Sequence, residues 1–191
     1  MTFNGLPLIY MDVLNDIDGI EIISLVDRPA VEKDFIAFNE EKVKFAVNEE
    51  KRIITGVALI PDQKVYRRNE KGEEYYISFT KEAVEHLAVK FFADHNSTNV
   101  NLQHEFDVEG CVYFESYLVN KERGIYPTEF GDLPDGTWIV SCKIFNDGVW
   151  ELIKKGVLRG FSIEGVLNVV KDEPKVIDTL EDLMEYINKL K

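Results

Sequence analysis

At 191 residues, with 45% hydrophobic and 30% charged side chains, the chain has the size and balance of one soluble globular domain able to bury its own core. The 35 acidic residues outnumber the 22 basic ones, a formal charge of −13 that repels nucleic acid and anionic membranes and argues against DNA binding through a basic face. Met1–Tyr10 lacks the basic start of a signal peptide, and no apolar run approaches the ~18 residues of a membrane span, so the protein reads as cytoplasmic.

Two cysteines, Cys111 and Cys142, sit inside apolar runs and form no CxxC pair. They read as small buried hydrophobes in a reducing compartment rather than as part of a zinc or redox motif.

Taken in chain order, 19–26 and 43–47 are expected to be strands. Residues 53–60, IITGVALI, form a β-branched run stopped by Pro61-Asp62 and read as a buried strand followed by a turn. Residues 73–79 add an aromatic-rich strand, and Thr80 can cap a helix reaching Asp94, with Val84, Leu87, Ala88 and Phe91 on one stripe. Residues 99–106 alternate, which predicts a strand with Val100, Leu102, His104 and Phe106 on one face and Asn101, Gln103 and Glu105 on the other. Strands are expected at 111–119, 138–145 and 161–170. A short helix begins at Asn146 or Asp147 and stops at Gly156, and a last one begins at Asp178 or Thr179. Loops fall at 69–73 and 120–136. Many strands and few helices predict an α+β, mainly β fold: a closed or nearly closed β-barrel with helices packed outside. Residues 1–172 would form this domain with its N-terminal strand segment, and 173–191 a C-terminal helix.

Two residues are out of place for structure alone. His104 falls on what reads as an apolar strand face, where an imidazole is either a hydrogen-bonded core residue or part of an internal site. Ser162 lies in Arg159-Gly160-Phe161-Ser162-Ile163-Glu164-Gly165, directly after a helix stop. Its flanking glycines allow the close backbone approach that a nucleophile and oxyanion donors need, although serines between glycines are also common in plain turns. The segment differs from a GxSxG elbow because the strand follows the serine. A serine nucleophile needs a base, which His104 can supply, and a group to orient that base. Asp27, Glu21, Glu164, Asp107 and Asp172 can all fill the last role, as can the imidazoles of His86 or His95.

Several segments together resemble the XkdF-like serine proteases of tailed phages, relatives of the prohead proteases that share a fold with herpesvirus assemblin. These are Ser24-Leu25-Val26-Asp27-Arg28-Pro29-Ala30-Val31 and, further on, Ile54–Asp62, Asn101-Leu102-Gln103-His104 with Gly110, Gly136-Thr137-Trp138 through Gly156, and Gly160–Gly165. The resemblance implies that His104 and Ser162 are the catalytic pair of a barrel-fold endopeptidase. It also implies scaffold and major capsid proteins as substrates, action inside assembling proheads in the host cytoplasm, and a possible homodimer. The stretch Ile22–Val26 with Pro29-Ala30 resembles a segment that follows the serine in ordinary prohead proteases, as though the order were permuted. Ile22 stands where those proteases have a glutamate, and Asp27 is the expected orienter of His104. No cofactor, metal, nucleic acid or membrane partner is expected.

The main rival is a protease-like fold reused as a non-catalytic structural or capsid-associated phage protein. A metal module built on His95 and His104 with Cys111 or Asp94 is the next, although its spacing matches no standard zinc pattern.

Overall fold

The computed structural model describes residues 2–12, 18–27, 46–48, 51–69, 71–166 and 168–170. The chain opens with β1 (Thr2–Phe3), β2 (Leu6–Asp12) and β3 (Gly19–Val26), followed by β4 (Ala46–Asn48) and β5 (Ile53–Leu59). After the Pro61-Asp62 turn come β6 (Val65–Arg68), β7 (Glu74–Phe79) and helix α1 (Lys81–Ala93). A short hairpin, β8 (Asn101–Leu102) and β9 (Phe106–Asp107), precedes β10 (Cys111–Leu118) and β11 (Trp138–Ile144). Helix α2 (Asp147–Lys154) leads into β12 (Gly160–Val166) and β13 (Asn168–Val170). The expected helix near 178 and residues 43–45 lie outside the described residues.

The strands divide into three sheets. One runs β1-β2-β7-β6 with β13 also on β2, the second β10-β11-β5-β4, and the third β12-β3-β8-β9. The barrel expected from the sequence is therefore corrected: among the described residues no sheet closes on itself. The reason is local. Over Ile53–Thr55 both edges of β5 are occupied, by β11 and by β4. Farther along, Ala58 and Leu59 of β5 line one cavity with Ser162–Gly165 of β12, and among the described residues no ladder joins these two strands.

Burial of one apolar face from each layer produces a common core. On α1 the stripe Ala83, Val84, Leu87, Ala88 and Phe91 is buried, and Thr80 caps the helix by accepting the Ala83 amide at 3.1 Å. Phe91 is the hub of an aromatic cluster, edge-on to Phe92, Tyr113 and Trp138 with centroids 5.2, 5.9 and 5.8 Å away. Tyr113 is in turn edge-on to Phe161 of β12. Phe91→Ala is expected to cost about 3–5 kcal/mol of stability, since it deletes a fully buried ring that rigid neighbours cannot replace. Urea unfolding measures it. On α2, Asn146 Oδ1 accepts the Val149 amide at 3.1 Å, and Gly156 at φ 69° ends the turn after it.

One strand reading is corrected in a way that matters for the site. Residues 99–106 form a tight hairpin, not a continuous strand. Leu102 pairs with Phe106, and Gln103 and His104 both adopt left-handed backbone angles, φ 55° and 62°. With the Glu105 amide donating to the Leu102 carbonyl at 3.0 Å, this is a primed turn of the kind that matches strand twist. The supposed apolar face does not exist: Phe106 is 63% exposed, while Asn101, assigned to the polar face, is buried. The expected strand 161–170 is likewise two strands, β12 and β13, on different sheets.

Candidate active site

The hairpin owes its position to β3. Leu25 and Leu102 pair in parallel, the Gln103 amide donates to the Leu25 carbonyl at 3.1 Å, and the Gln103 side-chain oxygen accepts the Asp27 amide at 3.3 Å. Two adjacent left-handed non-glycine residues carry a backbone cost of order 1–3 kcal/mol each, and such strain concentrates where a side chain has a task. Here it aims the His104 ring back across β3.

On the other side of β3 lies β12, antiparallel, with Ser162 directly opposite Ser24. Directly opposed residues share a sheet face, and so do residues two apart on one strand. Ser24, Ser162 and Glu164 therefore line the same face, with Phe161 and Leu25 turned into the core. Tyr113 anchors the middle strand by donating its hydroxyl to the Ile23 carbonyl at 2.9 Å.

Glu164 is the centre of the polar network. Its Oε1 lies 2.7 Å from His104 Nδ1, accepts the Ser24 hydroxyl at 2.6 Å and accepts the Asn101 side-chain amide at 2.7 Å. Ser24 Oγ is also 3.0 Å from His104 Nδ1. The four contacts require a hydrogen on Nδ1. Ser24 and Asn101 donate to the carboxylate, and Nδ1 carries a hydrogen shared between Glu164 and Ser24. In the neutral ring that is the tautomer with its lone pair on Nε2, the one required of a general base. Burial pushes the Glu164 carboxyl up, but the hydrogen bonds from Ser24, Asn101 and His104 outweigh it and hold the group below the ordinary glutamate range.

The sequence-designated residues are thus distributed as follows. His104 and Ser162 come to one sheet on opposite sides of β3, but the resting imidazole reaches Ser24 and Glu164, and among the described residues no hydrogen bond joins it to Ser162. Ser162 is 9% exposed and lines an open cavity, whereas Ser24 is fully buried. Asp27 abuts the hairpin through its backbone amide, and the carboxylate in contact with the ring belongs to Glu164, one of the alternatives open from the sequence. Glu21 lies on β3, and the β3–β12 register shifts beside it, between Glu164 and Gly165. Two members of the network, Ser24 and Asn101, carry no signal of their own in the sequence. Both stand in segments that carry the resemblance, yet only tertiary pairing gives them a role. His95 occupies a separate left-handed turn after α1, and the described residues contain no group of three or more His, Cys, Asp or Glu side chains suited to a metal.

A histidine with a carboxylate on one ring nitrogen, in a sheet that also carries a serine lining a cavity, is a donor set of the serine-hydrolase kind. Consistent with it, the chain belongs to the family described as "Putative phage serine protease XkdF", whose model matches residues 42–171. It is 26% identical over 165 residues to the phage-like element PBSX protein XkdF of Bacillus subtilis (strain 168), covering 81% of this chain and 55% of that protein. It is 24% identical over 164 residues to the uncharacterized protein YqbD of the same organism, covering 81% of this chain and 47% of YqbD. The chain thus spans about half the length of these curated relatives. No solved structure matches it. Among the described residues no helix is long and apolar enough to cross a membrane.

Proposed function

We propose that this chain is a serine endopeptidase that processes scaffold and major capsid proteins during phage head assembly, with Ser162 as nucleophile, His104 as general base and Glu164 as the group that orients the base. The observation that carries the proposal is the 2.7 Å contact between His104 Nδ1 and a carboxylate on the strand that also bears Ser162. Family membership supports the reaction class, and the resemblance to prohead proteases supports the substrates. Asp27 is the alternative orienter, reaching the hairpin rather than the ring.

The mechanism follows from the tautomer. Nε2 of His104 takes the Ser162 hydroxyl proton as Oγ attacks a peptide carbonyl, and the imidazolium formed is stabilised by Glu164. The tetrahedral intermediate collapses as His104 passes that proton to the leaving amine, which departs and leaves an ester on Ser162. Water then attacks the ester with the same base, releasing the acid and restoring the hydroxyl. Backbone amides near Arg159-Gly160 or Gly165 are the candidate oxyanion donors. For the step to begin, the ring must swing from Ser24 toward Ser162. Catalytic hydrogen bonds commonly tighten only when substrate binds. In this reading Ser24, fully buried and donating its hydroxyl to Glu164, holds the carboxylate rather than attacking the substrate.

The absence of a resting Ser162–His104 hydrogen bond among the described residues favours one second reading, a protease-like fold serving a structural role in the head. Co-expression with neighbouring head proteins separates the two. Fragments found by intact-mass spectrometry with the wild-type chain should vanish with Ser162→Ala, as should labelling by a fluorophosphonate. Identical fragments from both proteins would eliminate Ser162 as nucleophile.

A further inference from the structure

Beside Ser162 lies a cavity of about 360 Å³, walled by Ala58 and Leu59 of β5, Val65 of β6, and Ile77 and Phe79 of β7, with Ser162–Gly165 of β12 on the remaining side. All three sheets contribute to it. Its size is at the small end of the ~300–1,000 Å³ typical of ligand sites, suited to one side chain rather than to several residues. Arg67 and Glu164 also line it, but Glu164 already accepts from His104, Ser24 and Asn101, and Arg67 donates to the Tyr66 carbonyl at 3.0 Å.

We infer that this cavity is the subsite for the substrate residue whose carbonyl Ser162 attacks, and that it selects a neutral, medium-to-large apolar side chain. The inference rests on the serine-peptidase reading above. The wall chemistry sets the selection: five apolar side chains return transfer free energy to each buried methylene, and a charged guest would lose its hydration without a compensating ion pair.

N-acetyl amino-acid p-nitrophenyl esters test this on the whole chain, because they report acylation of Ser162 by a single side chain. The leucine ester should react faster than the alanine ester by about 10–200-fold, the discrimination available from a hydrophobic pocket, with the aspartate and lysine esters no faster than alanine. Ala58→Leu, which fills the cavity, should move the leucine-to-alanine ratio toward parity. Val65→Ala, which enlarges it and keeps the test available if the first variant folds poorly, should raise the phenylalanine-to-leucine ratio. Ser162-dependent turnover with no preference for leucine, or with ratios unmoved in both variants, would overturn the subsite while leaving the peptidase intact. Turnover equal in wild type and Ser162→Ala would overturn both.

Discussion

Glu164→Gln is expected to lower the acylation rate on the order of 10³–10⁴-fold while leaving the fold intact. The size is that of the analogous change in the Ser-His-Asp template, where the imidazole is left in the wrong tautomer. In this site the wild-type carboxylate accepts from His104 Nδ1, Ser24 and Asn101 together. A glutamine of the same volume offers one oxygen and an NH₂ that cannot accept. If the NH₂ faces His104 it donates to Nδ1, the hydrogen moves to Nε2, and the base toward Ser162 is lost. In that orientation Ser24 and Asn101, which meet the same oxygen, are also left donor to donor, and a glutamine that keeps its oxygen there is neutral and no longer stabilises the imidazolium. The readout that distinguishes orientation from mere packing is the low-field Nδ1–H proton resonance of His104, present in the wild type and absent in the variant. A rate loss under tenfold with that resonance retained would remove Glu164 from the role, and Asp27→Asn would be the next variant to measure. The same carboxyl has a stability consequence. Its folded-state pKa is depressed, so it stabilises the native state above the unfolded glutamate range, and that contribution disappears as pH falls through the folded value. Ser24→Ala removes one of the donors and should narrow this acid-side loss.

Gly165→Ala is expected to be the most damaging single methyl in the chain's described part. A Cβ at this position would lie 1.9 Å from the Gly19 carbonyl oxygen and 2.8 Å from Ile20 Cα. Both obstacles are backbone of the paired strand, so no rotamer change relieves the contact. The lesion also falls where the β3–β12 register shifts, between Glu164 and Gly165, a bulge that sets the position of Glu164. Overpacking in cores ordinarily costs about 1–3 kcal/mol, and a clash with main chain belongs at or beyond the upper end. At ~3 kcal/mol the melting temperature of a domain this size falls by roughly 6–12 °C, which thermal unfolding followed by circular dichroism will register. A drop under ~2 °C would mean that β12 can slide away from β3, and the bulge would then not be what holds Glu164.

The regular elements were legible where local chemistry and burial point the same way. The β-branched run at Ile53 became β5, the Thr80 cap and its apolar stripe became α1, and the Asn146 cap with Gly156 bounds α2. Legibility failed at 99–106 because alternation of apolar and polar residues is a period-2 signal whether or not the backbone stays extended. Gln103 and His104 carry none of the glycine or asparagine signature of a primed turn. What bends them is the partner strand: the Gln103 amide and side chain bond to Leu25 and Asp27, some eighty positions earlier. The barrel expectation failed for a related reason. Strand count follows from the sequence, but closure depends on which strand edges are already occupied, and over Ile53–Thr55 β5 has β11 on one edge and β4 on the other.

By itself the sequence determined the mainly β character of the chain, its family resemblance, and the serine and histidine to examine, because each rests on residue type and local spacing. The carboxylate in contact with His104, the buried Ser24 and Asn101 that hold it, and the apolar recess beside Ser162 were decided only by tertiary structure. These depend on the antiparallel register that sets Ser162 against Ser24 and on the parallel contact that brings the hairpin to β3. Pairing between strands so far apart along the chain, as between Ser24 and Ser162 or Leu25 and Leu102, is a property of the packed core, and no window of sequence contains it.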